Sequence, residues 1–201
     1  MTLDEGMREY YRQRAGEYDD WWNGNGLYAQ LDRPGWEEDV GALIVAVEAL
    51  EPAATLDVAC GTGFLTRHLR GDLVGLDQSS AMVEIARTRL REGRTVCAEA
   101  IPLPFHDGSF ERVFTSHYYG HLLGDEREEF LAQARRVAAE LVVVDAALRP
   151  DRPNEEWQER VLTDGSAHRV FKRWFSAESL GAEVGATRVL HEGAWFVAVA
   201  G

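Results

Sequence analysis

The stretch Leu56–Thr66, LDVACGTGFLT, decides how the whole chain is read. An apolar run long enough for a buried strand ends in two glycines separated by one residue, and an apolar, helix-compatible segment follows. A strand feeding a helix through Gly61 and Gly63 places a tight turn at the carboxyl edge of a parallel sheet, where open α/β sheets bind ligands. Without Cβ atoms the glycines admit positive φ and let a ligand approach the main chain. The amides opening the following segment, Gly63–Leu69, suit an anion or carboxylate. A tight strand–helix turn with no ligand is the alternative reading of the same residues.

Working outward, strands and helices alternate. Thr55–Ala59, Leu73–Leu76, Thr95–Glu99, Arg112–Ser116 and ELVVVDAAL (140–148) read as short buried strands, with helices over Ser80–Glu92 and Asp125–Ala139. Continuous apolar strands of this kind belong in a parallel sheet covered on both faces. Upstream, a helix over about Asp4–Tyr18 leads through an aromatic loop, WWNGNGLY (21–28), to a helix over Glu37–Leu50. Downstream, HRVFKRWF (168–175) reads as an inserted strand and SAESLGAEVG (176–185) as a capped helix. TRVLHEG (187–193) and AWFVAVAG (194–201) form an antiparallel pair joined by a tight Glu-Gly turn. The expected fold is a Rossmann-like, doubly wound α/β sheet of seven strands, mostly parallel, with an antiparallel C-terminal hairpin. It forms one domain over residues 1–201: a lid region at 1–36, a cofactor-binding core at 37–145, and an acceptor-covering segment with the hairpin at 146–201.

A formal net charge of −13, from 34 acidic and 21 basic residues, speaks against a general binder of DNA or RNA, which needs clustered cations. Arg67, Arg70, Arg87, Arg89, Arg91 and Arg94 do cluster, and read as solvated helix faces. Lys172 is the only lysine. The longest apolar runs fall short of a membrane span, and the N-terminus has no apolar signal core, so a cytoplasmic location is expected. Cys60 and Cys97 are too few for a disulfide framework and read as reduced, buried small hydrophobes.

The second strand ends in VGLDQSS (74–80). Asp77, just beyond it and beside the glycine turn, is placed to accept hydrogen bonds from both ribose hydroxyls of a nucleoside; as the bland alternative it caps the next helix. Dinucleotide readers normally carry G-x-G-x-x-G, but Thr66 stands at the third glycine position and Phe64 and Leu65 crowd the turn. A smaller ligand, adenosine at one end and amino acid at the other, fits better.

In their order, LDVACGTG, GLDQSSAMVEIAR (75–87) and AEAIPLPFHDGSFERVFTSHYYGHL (98–122) resemble the successive motifs of the class I S-adenosylmethionine-dependent methyltransferases, most of all the subgroup that modifies small molecules, including quinone-biosynthesis C-methyltransferases. The resemblance covers roughly Tyr11–Asp145. It implies that Ala59, Cys60, Gly61 and Gly63 line the methionine moiety of S-adenosyl-L-methionine with backbone atoms. Asp77 holds the ribose, with Gln78 and Met82 beside the adenine. Glu99 stands where an aspartate commonly reaches the adenine amino group, and Ala100 and Ile101 flank the ring. Ser116 and His117 lie near the sulfonium, and Tyr11 and Tyr18 belong to a lid. Two departures stand out. Ala59 replaces a common glycine, a mild change in bulk, and RRVAAELVVVD (135–145) lacks the Lys-Pro-Gly-Gly turn common before the fifth strand.

In-line methyl transfer asks chiefly for positioning, and for a base only where the acceptor must lose a proton. His117 and Tyr118 are the catalytic candidates. His117 and His121 share an i,i+4 spacing, but no third ligand is evident and no metal is expected; His121 reads as structural. Trp22, Tyr119, Asp145, His168 and Lys172 are the candidates for contact with a small-molecule acceptor. WQERVLTDGSAHRVFKRWF (157–175) is placed to cover that acceptor and to contact a carboxylate or phosphate on it, or alternatively to form an amphipathic hairpin with its charges in water. An RNA or protein methyltransferase and a catalytically silent cofactor binder are the competing readings, with a nicotinamide oxidoreductase behind them.

Overall fold

The computed structural model describes residues 5–90, 92–150 and 152–201, with side chains from Glu9 onward; Asp4 and Arg91 lie outside the described residues. The chain begins with α1 (Glu5–Arg14), a one-turn α2 (Asp20–Asn23) and α3 (Trp36–Glu48). Then β1 (Thr55–Val58), β2 (Leu73–Asp77), α4 (Ser80–Arg89), β3 (Arg94–Cys97), β4 (Arg112–Ser116), α5 (Gly124–Val137) and β5 (Glu140–Ala146) follow. The remainder is β6 (Glu155–Val161), β7 (Ala167–Arg173), α6 (Ala177–Val184), β8 (Arg188–Glu192) and β9 (Phe196–Ala200).

Seven strands form one sheet in the order β3-β2-β1-β4-β5-β9-β8. The first five are parallel, and β9 runs antiparallel to both β5 and β8. The order reverses between β1 and β4, which opens a crevice at their carboxyl ends. Strand parity divides the core into two layers. Leu141 and Val143 of β5 face a layer built with Phe130 and Val137 of α5 and Leu180 of α6. Val142 and Val144 face the opposite layer, with Leu43 and Val47 of α3, Trp22, Phe64 and Phe196. Helix ends are fixed locally: Glu126 accepts a hydrogen bond from the Leu123 amide (2.9 Å), and Ser176 accepts one from the Ser179 amide (3.1 Å).

Three elements differ from the sequence reading. Gly63–Leu69 does not open a full helix; it contains only a 3₁₀ turn at Thr66–His68. Gly71 (φ +106°) presses against the Ala53 backbone so closely that a Cβ would lie 2.3 Å from the Ala53 oxygen, and the chain must turn there into β2. The aromatic loop is helical at Asp20–Asn23, where left-handed Gly24 ends the turn, and takes a 3₁₀ turn at Gly26–Tyr28. The inserted strand does not join the main sheet: β7 pairs only with β6, as an antiparallel ribbon whose hydrophobic residues pack on Tyr10 of α1. Cys97 is exposed, because edge strand β3 has its outer side uncovered, whereas Cys60 is buried.

Candidate functional site

The crevice at the carboxyl ends of β1, β2 and β4 holds a narrow cleft of about 60 Å³. Ala59 and Gly61 form its floor, Asp77 and Gln78 one wall, and Glu99, Ala100 and Ile101 the outer rim; Met82 of α4, Leu76, Ser116, His117 and Tyr118 complete it. Tyr11, Tyr18 and His121 close the remaining side. The Tyr18 ring lies directly over Gly61, 3.6 Å from where a Cβ would stand.

Asp77 organises the floor. Its carboxylate accepts one hydrogen bond from the Gly61 amide and one from the Ser79 amide, both 2.9 Å, which joins the β1 turn to the β2 turn. Each oxygen keeps a further lone pair beyond the amide it holds. Burial pushes the Asp77 carboxyl up to about 6, against the lowering effect of those two amides. The N-cap of α4 is Ser79, not Asp77.

Two non-glycine residues among those described have positive φ, Ala59 (+57°) and His117 (+55°). Both stand at the carboxyl ends of adjacent strands on the floor of the cleft. Such a conformation costs roughly 1–2 kcal/mol in a residue with a Cβ, so Ala59 in place of glycine is a backbone strain rather than a change in bulk. The His117 ring is enclosed by Trp21 (5.0 Å), Trp22 (5.2 Å) and Phe196 (5.6 Å). Its Nε2 is buried with no hydrogen-bond partner, and Asp145 is 3.9 Å from Nδ1, too far to bond. Burial drives its pKa down to about 3, so the ring is neutral.

His121 connects α1 to the body. Its Nδ1 lies 2.5 Å from the Phe171 carbonyl oxygen and its Nε2 2.8 Å from the Tyr11 hydroxyl. A carbonyl only accepts, so Nδ1 carries the proton and Tyr11 donates to Nε2. Both His121 nitrogens are engaged inside the protein, tying α1 to β7.

A second chamber of about 480 Å³ adjoins the cleft and shares Tyr11, Tyr18, His117 and His121 with it. Trp21, Tyr28, Trp36, Trp174 and Trp195 give it aromatic walls, and Lys172 enters from the ribbon. Lys172 is ion-paired with Asp145, which is fully buried and also accepts from the Gly120 amide (2.7 Å). A Cβ on Gly120 would lie 2.7 Å from the Arg173 carbonyl oxygen, so the ribbon touches bare backbone there.

Comparison with known proteins agrees with this geometry. The methyltransferase domain family (Methyltransf_11) matches residues 56–141, the segment that builds the cleft. The Thermotoga maritima demethylmenaquinone methyltransferase is 36% identical over 107 residues, 51% of this chain and 44% of that protein. A Geobacter sulfurreducens malonyl-[acyl-carrier protein] O-methyltransferase is 31% identical over 144 residues, 67% of this chain and 49% of that one. The chain thus spans about half the length of the curated relatives it matches. Among solved structures, a DhpI–SAM–HEP complex superposes with a TM-score of 0.77 at 25% identity, covering 98% of this chain and 96% of that one. The chain has the fold of the class I methyltransferases, and residues 56–141 match their domain model.

Within this methyltransferase fold, most residues singled out for the cofactor line one cleft, but two do not. The Cys60 side chain is turned toward Gly75, where its Sγ would stand 3.0 Å from an added Cβ, and burial holds its thiol protonated. Gly63 instead lets the turn pack on α4: a Cβ there would lie 3.4 Å from that of Ala86. Of the acceptor candidates, Lys172 alone reaches the chamber. Trp22 is core, stacked at 4.5 Å on Phe64, and its neighbour Trp21 lines the chamber in its place. Tyr119 packs on Phe130 and Phe175, Asp145 acts beneath Lys172, and His168 lies against Tyr10 of α1 and bonds Gln13 (3.2 Å). Sequence reasoning missed Arg14, Arg33, Arg149, Arg152 and Arg160, which also border the chamber. For Arg160 the signal was present: on β6 it shares the parity of Gln158 and lies opposite His168 of β7.

Proposed function

We propose that this protein binds S-adenosyl-L-methionine in the cleft and transfers its methyl group to a small-molecule acceptor in the adjoining chamber. The observation that carries the reading is Asp77, a buried carboxylate fixed by the Gly61 and Ser79 amides and left with lone pairs at the cleft wall. That arrangement suits two ribose hydroxyls. Ala59 and Gly61 offer backbone to the amino-acid end, while Met82, Ala100 and Ile101 offer apolar faces to the adenine. When bound, the cofactor supplies an electrophilic methyl group. The chain's own residues position and exclude water: Tyr11 and Tyr18 cover the cleft, and His117 stands where cleft and chamber meet. Neutral down to about pH 3, His117 is too weak a base to remove a proton near neutrality, and serves instead as a wall between cleft and chamber. The aromatic walls and modest volume of the chamber favour a small molecule over a macromolecule.

The test is ligand-induced stabilisation. S-adenosylhomocysteine is expected to raise the melting temperature while NAD does not. Stabilisation by NAD alone overturns the reading.

A further inference from the structure

The chamber's charge is out of keeping with the chain. Arg14, Arg33, Arg149, Arg152, Arg160 and Lys172 border it, whereas the acid on its lining is Asp32, which is exposed. This occurs in a protein with 34 acidic and 21 basic residues, so carboxylates were not in short supply. Lys172 is neutralised by Asp145. Arg14 is not neutralised. It is 5% exposed, has no carboxylate at ion-pair distance among the described residues, and rests among the rings of Tyr10, Tyr18 and Tyr28 at 5.5, 4.8 and 5.6 Å. Ring faces orient a guanidinium without cancelling its charge. Arg152 lies 5.2 Å from the Trp174 ring, with its Nε buried and unpartnered. Arg160 projects from the ribbon's inner parity, has no carboxylate at ion-pair distance among the described residues, bonds the neutral Gln158 oxygen at 3.0 and 3.3 Å and lies 5.7 Å from the Tyr10 ring. Burying cations without a counter-ion is strongly unfavourable, and removing the partner of a buried pair is among the most destabilising changes known.

We infer that the chamber recognises an acceptor carrying an oxyanion, a carboxylate or a phosphoryl group, which Arg14, Arg152 and Arg160 hold beside the cleft. This deepens the methyltransferase reading and rests on it. Guanidinium forks match two-oxygen anions through paired hydrogen bonds, and the aromatic walls accept the organic remainder of the molecule. Because Tyr18 borders both cavities and packs on Arg14, the bound anion and the cofactor lid share a contact.

The experiment uses the full chain at constant ionic strength, saturated with S-adenosylhomocysteine, and titrates three size-matched probes by calorimetry: phenylacetate, benzylphosphonate and 2-phenylethanol. The expected result is binding of one or both anions and at least about tenfold weaker binding of the alcohol. The carboxylate and phosphonate arms identify the headgroup. Arg152→Gln and Arg160→Gln, both at partly exposed residues, are each expected to weaken the anion by about tenfold and to leave S-adenosylhomocysteine affinity unchanged, which also reports that the variants fold. Equal binding of alcohol and anions, or anion binding indifferent to both substitutions, overturns the inference and leaves the methyltransferase reading standing. Failure of the wild-type chain to bind S-adenosylhomocysteine overturns both.

Discussion

Asp57 lies in the middle of β1, 1% exposed, beneath the floor of the cleft. Thr66 donates a hydrogen bond to Oδ2 at 2.5 Å, and Oδ1 is buried without a partner. Burial pushes the carboxyl from its ordinary 3.8 up to about 8; the Thr66 bond opposes this, and the neighbouring Asp77 reinforces it. At pH 7 the folded chain therefore keeps this proton and the unfolded chain releases it. Holding a proton about three pH units above its ordinary pKa costs roughly 4 kcal/mol, at about 1.4 kcal/mol per unit. Asp57→Asn keeps the shape and the Thr66 contact and removes that cost, so it is expected to stabilise the protein by roughly 2–4 kcal/mol at pH 7. The sign follows from a raised folded-state pKa. The contribution of Asp57 is fully present below pH 3.8 and is lost as pH rises toward 8. The advantage of the variant should therefore vanish near pH 4 and level off above pH 8. Urea unfolding followed by tryptophan fluorescence across this range measures the difference. A wild-type-to-variant difference that does not change with pH would refute the reasoning, as would an asparagine variant less stable at pH 7.5.

Asp77→Ala should weaken S-adenosylhomocysteine by about a hundredfold or more, through two lost charge-assisted contacts. It should also lower stability by about 1–3 kcal/mol, because the Gly61 and Ser79 amides lose their acceptor; calorimetry and chemical unfolding read the two effects, and unchanged affinity would leave Asp77 a purely structural tie. Ala59→Gly relieves a left-handed alanine at the expense of unfolded-chain entropy, so the variant should be up to about 1 kcal/mol more stable in the same unfolding assay. Tyr11→Phe leaves the buried His121 Nε2 without its donor, and amide exchange in α1 should quicken while exchange in β1, β4 and β5 stays slow. Unaltered exchange in α1 would show that the Tyr11–His121 bond bears no weight.

The alternation of strands and helices was readable because the central apolar runs are buried on both faces, as with Leu141–Val144 of β5, and because acids and glycines mark the carboxyl ends. The cleft was readable for the same reason: its residues lie at fixed offsets from strand ends, so Ala59, Asp77 and His117 come together through topology alone. Side-chain direction was less accessible. Trp21 and Trp22 are adjacent, and only the helical turn at Asp20–Asn23 decides that the first faces the chamber and the second the core. The chamber was the least legible part, since Arg14, Arg33, Arg149 and Arg160 come from four distant segments and no local pattern connects them.

The ribbon leaves and rejoins the body at a single point. Leu148 donates to the Phe175 carbonyl oxygen (2.7 Å) and Phe175 donates to that of Ala146 (3.0 Å), so the excursion over 148–174 starts and finishes on the same rung. Its two ends are stapled together whatever lies between them, and closure entropy rises only slowly with loop length. A replacement of different length and lining can therefore be grafted at Ala147 and Phe175, provided that it still supplies a cation to the buried Asp145 of β5 and a carbonyl oxygen to His121. The chain has in effect a cassette slot: an unchanging cleft at the strand ends, beneath a cover whose Arg152 and Arg160 are exchangeable while Lys172 is held by Asp145.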